Sequence, residues 1–225
     1  MVRSARPALL LVAIVVAACS SDDGRTAPTI PERADVQAER CLVRVHGRSE
    51  TGGAPVDRGD HAEVLPYGND TAGDGFQWRY GTDDEVASAT ANIEGWIDAV
   101  GCEQVILNGF SNGAAAVGAL HCRGETFDGR VVGVVIDDPV PDDAVSGCDA
   151  DPSVAVTLYW TGGLTEAAAG VSCDEIGFTC AGEELLGIDA YAEALGVTVT
   201  PSPHDQHVWY RQAPENSVWP EEGGR

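Results

Sequence analysis

Basic side chains are scarce in this chain. Thirteen Lys and Arg stand against 36 Asp and Glu, a formal net charge of -23 over 225 residues. A nucleic-acid backbone needs a basic surface, so the balance excludes a nucleic-acid partner and describes an acidic, well-solvated exterior. Long apolar runs are missing as well: the run Ala8 to Val16 is too short to span a bilayer. No cysteine pair has metal-site spacing with a nearby histidine, which argues against zinc, and neither a metal nor a cofactor is implied. No internal repeat is visible. At 44% hydrophobic and 22% charged residues, the rest is ordinary for one globular domain with a sizeable core.

What is present begins with an export signal. Arg3 and Arg6 precede the apolar run, which ends Val16-Ala17-Ala18-Cys19. This ending resembles the lipobox of bacterial lipoproteins. The resemblance implies removal of residues 1–18, lipidation of Cys19 and attachment to the outer face of a membrane, with plain secretion as the alternative. Residues 19–40 are expected to be a flexible tether, since Ser20 to Arg33 is polar and aperiodic with Gly and Pro. Beyond Cys19, six of the seven cysteines remain: Cys41, Cys102, Cys122, Cys148, Cys173 and Cys180. An even number in an exported chain predicts disulfides.

From Cys41 onward, short apolar segments alternate with longer amphipathic ones, the pattern of an α/β sheet. Strands are expected at Cys41 to His46, around Ala62 to Leu65, at Val105 to Phe110, Arg130 to Ile136, Val154 to Trp160 and Val197 to Thr200. Between Asp83 and Val100, Val86, Ala89, Ile93, Trp96, Ile97 and Val100 recur at helical spacing, and Gly101 stops the helix. A second helix follows Gly113, and a third is expected from Glu183 to Leu195.

The segment Val105-Ile106-Leu107-Asn108-Gly109-Phe110-Ser111-Asn112-Gly113 is a strand, a tight Gly-x-Ser-x-Gly turn and the start of an alanine-rich helix. Glycines two positions on either side of Ser111 remove Cβ atoms that would collide where strand and helix crowd together. This segment resembles the nucleophile elbow of the α/β-hydrolases. Cys41 to Gly47 is similar to the strand that ends in His-Gly beside their oxyanion hole, and Pro201 to Trp209 to the segment carrying their catalytic histidine. The resemblance covers residues 41–212 and implies a reduced α/β-hydrolase fold: a mostly parallel sheet with helices on both faces, in a domain spanning 41–225. In size it is closer to cutinases, small esterases or dienelactone hydrolases than to the full fold. It also suggests the disulfides Cys41–Cys102, at the entry ends of neighbouring strands, and Cys173–Cys180, stapling one loop, which leaves Cys122–Cys148.

Carried onto this chain, the resemblance makes Ser111 the nucleophile and His207 its base, with His204 the rival and His46 orienting the oxyanion loop; His61 and His121 have no supporting context. The triad acid is left open among Glu166, slightly preferred, Asp138 in Asp-Asp-Pro, and Asp174. The oxyanion hole falls to the backbone N–H of Asn112 and of Arg48, with Ser49 second. Tyr67, Phe76, Trp78 and Tyr80 either wall a substrate pocket or anchor a long loop. The expected activity is hydrolysis of a small or polymeric carboxylic ester by a monomer held to the membrane only by its lipid. A peptidase or acyltransferase with the same triad, or a non-catalytic binding lipoprotein on the same fold, are the competing expectations.

Overall fold

A computed structural model describes residues 26–162, 170, 172–173, 180–182 and 184–220. Its centre is a seven-stranded sheet built from β1 (Arg40–Val45), β2 (Gly53–Asp57), β3 (Ala62–Leu65), β6 (Gln104–Phe110), β7 (Val131–Asp137), β8 (Ala155–Trp160) and β9 (Val199–Pro201). The order is β2-β3-β1-β6-β7-β8-β9, and every pairing is parallel except β2 with β3. β4 (Asp70–Ala72) and β5 (Gly75–Gln77) form a separate hairpin. The sequence pattern did not predict β2 or this hairpin: β2 is a short edge strand containing Pro55, and the hairpin is set in Gly and Asp.

Among the described residues three α-helices pack on the sheet: α1 (Asp83–Val100), α2 (Asn112–Cys122) and α3 (Ile188–Leu195). α1 starts at a capping box, in which the Thr82 side chain accepts from the Glu85 N–H and the Glu85 carboxylate accepts from the Thr82 N–H. Asp83, Asp84 and Glu85 suit the positive end of its dipole, and Gly101, at φ 81°, closes it in the left-handed region. α3 begins five residues after the expected Glu183, at Ile188, because Gly187 precedes it as its N-cap and Leu185 is spent on a bridge to Asp142.

All three helices bury their apolar faces in one layer, together with Val43, Val45, Leu107, Ile136 and Leu158 from the sheet. The opposite layer is smaller. Leu42, Ile106, Val135 and Tyr159 are covered there by Ala213, Tyr210 and Trp219 of the C-terminal segment, whose described residues after β9 form only the 3-10 turn Pro214–Ser217. Among the described residues, helix therefore covers one face and an irregular strap the other. The alternation that buries a strand on both sides does not say which kind of element does the covering.

Residues 34–39, expected in the tether, lie against the domain. Ala34 N–H donates to Ala99 O, Ala38 N–H to Val100 O, and the Gln37 amide to Ala99 O, while Ile30 sits over Gly95 of α1. Disulfides join Cys41 to Cys102, Cys122 to Cys148 and Cys173 to Cys180, which fits a protein outside the cytoplasm. The first lies where β1 and β6 start side by side, with Cys41 opposite Val105. No helix among the described residues is long and apolar enough to cross a membrane.

Candidate active site

Parallel strands point their carboxyl ends the same way, and here that edge gathers the polar groups. Phe110 pairs with Asp137, Asp137 with Tyr159, and Trp160 with Pro201, so Ser111, Asp138, Thr161 and the segment after β9 leave the sheet together. The last pair of β1, Val45 with Gly109, delivers His46 and Gly47 to the same edge.

Ser111 adopts φ 53° and ψ -121°, a conformation that costs a non-glycine residue of order 1–3 kcal/mol. Its N–H is held by Asp137 O at 3.1 Å. The flanking glycines have the predicted reason: a Cβ on Gly109 would stand 2.5 Å from Gly113 O, and one on Gly113 would stand 2.1 Å from Val45 O. The serine is the N-cap of α2, yet its side chain makes no capping bond.

His207 and Asp138 meet. The imidazole Nδ1 is 2.5 Å from Asp138 Oδ2. The Asp138 side chain is 1% exposed, and Thr161 also donates to it, through N–H at 3.1 Å and hydroxyl at 2.8 Å. A carboxylate only accepts, so the imidazole carries its hydrogen on Nδ1 and presents Nε2 as an acceptor. Phe110, the residue before Ser111, stacks on the imidazole at 4.6 Å. Asp138 itself has φ 48°, and its N–H is fixed by Tyr159 O. The structure thus assigns the partner of His207 to Asp138, whereas Glu166 and Asp174 lie outside the described residues. His204 is not part of this pair; its ring packs edge-on against Tyr210.

His46 is buried and bridges two loops. Nε2 accepts the Gly68 N–H at 3.1 Å, so Nδ1 carries the hydrogen donated to Gly47 O at 2.7 Å. Burial lowers its pKa and keeps the ring neutral. The loop after Gly47 is clamped further: Gly47 N–H donates to Glu50 Oε2, and Ser49 N–H donates to Phe76 O at 2.8 Å. That last bond engages the amide of Ser49, the second oxyanion candidate of this loop. Asn112 is the first residue of α2. Its side chain holds the backbone of Trp78 from both sides, accepting the N–H at 2.7 Å and donating to the carbonyl at 3.1 Å. Trp78 and Tyr80 are buried, so within the 67–80 segment they anchor the loop.

Three features were not singled out from the sequence. Thr161 supports the Asp138 carboxylate. Asn108 is fully buried in the middle of β6, and a polar residue inside an apolar run was the signal for it. Asp137 is also fully buried; burial first, and the charge of Asp138 second among the raising causes, push its carboxyl up to about 7.

No protein-family model matches the chain, and no curated protein does. Solved structures similar to it include a carboxylesterase from Bacillus cereus, at 13% identity over 82% of this chain and 88% of that one, with a TM-score of 0.48. Another is esterase B from Lactobacillus rhamnosis in an inhibited form, at 14% identity over 83% and 76%, TM-score 0.39. A protein of unknown function from Agrobacterium tumefaciens is similar at 18% identity over 76% and 85%, TM-score 0.41. These are distant likenesses of fold alone, and the chemistry has to come from the chain's own geometry.

Proposed function

We propose that this protein is a serine hydrolase that cleaves carboxylic esters through an acyl-enzyme on Ser111. The observation that carries the reading is a strained serine at the head of α2 on the same sheet edge as a partly exposed His207 paired with the buried Asp138. In this reading Nε2 of His207 takes the proton of the Ser111 hydroxyl as it attacks the ester carbonyl carbon. The protonated ring then gives that proton to the departing alcohol. Water, activated by the same nitrogen, hydrolyses the acyl-enzyme. Asp138 fixes the tautomer and stabilises the imidazolium. The backbone N–H groups of Asn112 and Arg48 receive the developing oxyanion; a donor of this kind is worth about 3 kcal/mol of barrier.

The enzyme works outside the cytoplasm, attached through a lipid on Cys19, and the three disulfides support that compartment. Hydrolysis of p-nitrophenyl butyrate by wild type, Ser111→Ala and His207→Ala tests the activity: the expected result is turnover by wild type alone. Turnover by Ser111→Ala at the wild-type rate would remove the serine from the mechanism. No turnover and no labelling by a fluorophosphonate would leave a binding protein.

A further inference from the structure

His207 sits in a stretch without helix or strand, between β9 and the 3-10 turn Pro214–Ser217, and its imidazole is 25% exposed. A loop of this kind does not hold an imidazole to a few tenths of an ångström unaided. The fixing begins two residues later. Three consecutive residues are tied to three different strands: the Trp209 indole N–H donates to Asn108 Oδ1 of β6 at 2.8 Å, the Tyr210 N–H donates to Asp137 Oδ2 of β7, and the Arg211 carbonyl accepts from Arg44 Nη2 of β1 at 3.1 Å.

These anchors form one network. Asn108 Oδ1 also accepts Arg44 Nη1 at 2.8 Å, and the Arg44 Nε pairs with Glu63 of β3 at 3.1 Å. Asn108 and its neighbours lie on the face that the helices leave to the strap, so the polar groups of β1, β6 and β7 have the strap as their partner. Above them runs an aromatic stack. Trp209 lies nearly parallel to Phe110 at 5.5 Å, and Phe110 stacks in turn on His207. Arg211 covers the indole, 4.4 Å from its centroid.

We propose that Trp209 is a positioning residue for His207, locked through its indole N–H by Asn108 in the nucleophile strand. The latch couples the strand that leads into Ser111 to the loop that carries its base, so both move as one body. Deepening the esterase reading in this way makes the inference depend on it. Phenylalanine at 209 keeps a ring against Phe110 but loses the N–H together with part of the indole's bulk, so Asn108→Leu, which leaves the indole whole, isolates the hydrogen bond. Aspartate at 108 keeps an acceptor for both Trp209 and Arg44, and leucine keeps neither.

The test measures p-nitrophenyl butyrate hydrolysis across pH, beside thermal unfolding, for Trp209→Phe, Asn108→Leu and Asn108→Asp. Ile93→Ala on α1 is the comparison for stability lost elsewhere, and Ser111→Ala is the control for the reading itself. Trp209→Phe is expected to lose about ten- to a hundred-fold in kcat, with KM within about twofold, since small misplacement of a catalytic group has costs of this size. Asn108→Leu is expected to match it, Asn108→Asp to restore most of the rate, and Ile93→Ala to lower the Tm with kcat retained. Trp209→Phe decides the matter whether or not Asn108→Leu folds: kcat within twofold of wild type, with Ser111→Ala inactive, overturns the positioning role alone. Wild-type activity in Ser111→Ala overturns the esterase reading instead.

Discussion

Asp138 and His207 stand 69 residues apart in the chain and meet at 2.5 Å. Asp138 leaves the end of β7 and His207 follows β9, two strands away, with Thr161 at the end of β8 between them, donating to the same carboxylate. The register of a parallel sheet therefore brings the Asp138 carboxylate to the His207 imidazole, and the residue after the intervening strand contributes a supporting hydroxyl.

Replacing Asp138 by Asn keeps the shape but offers an amide where a pure acceptor stood, favouring the other tautomer of His207. The expected loss in kcat is on the order of 10⁴-fold, as for a triad acid so changed, while Glu166→Gln stays within about twofold. Steady-state kinetics of the two variants checks this; the reverse pattern would transfer the acid to Glu166.

Asp137 gives stability a pH dependence of a defined sign. Its folded pKa, about 7, lies above the usual 3.8, so between those values the native state holds more protons than the unfolded one. Stability from this group is full below the unfolded value and declines as pH rises towards 7. Asp137→Asn keeps an acceptor for Tyr210 and does not titrate. In urea unfolding, the variant is expected to gain on wild type steadily from pH 4 to pH 7 and to hold that gain above pH 8; a gap independent of pH would contradict this.

Gly113→Ala would drive a methyl to 2.1 Å from the Val45 carbonyl, which is backbone and cannot swing away. The expected cost is more than about 2 kcal/mol of stability, and β1 and α2 must separate to accept it. Gly53→Ala, where a Cβ meets nothing within 4 Å, is expected to be close to neutral. Thermal unfolding of both variants distinguishes steric exclusion from a general effect of losing glycine.

The bridge Cys41–Cys102 closes a loop with a sequence separation of 61, and Cys173–Cys180 one of 7. Loop entropy assigns them about 4 and about 2 kcal/mol. Double Cys→Ser replacement of the first pair is therefore expected to lower the unfolding midpoint in urea more than replacement of the second. Equal losses would show that chain entropy is not what separates the two bridges.

Much of the site is written locally. The Gly-x-Ser-x-Gly turn, the helix that follows and the His-Gly end of β1 are all short-range patterns with steric causes, and Ser111 and His46 were legible for that reason. The carboxylate that meets His207 was not. Asp138 and Glu166 both follow apolar strands, and only the pairing of β7, β8 and β9 brings Asp138 to the histidine. The covering of the second face was equally hidden, because an apolar strand alternates in the same way under a helix or a strap. An amide inside an apolar run was the available signal for Asn108, which was not singled out, and its partner Trp209 lies 101 residues on.

The most direct measurement is the mass of the protein after reaction with a fluorophosphonate, with the modified peptide sequenced. One covalent adduct on Ser111 is predicted, formed slowly in Asp138→Asn and absent in Ser111→Ala. An active protein that gains no adduct, or gains it on another residue, would contradict the account.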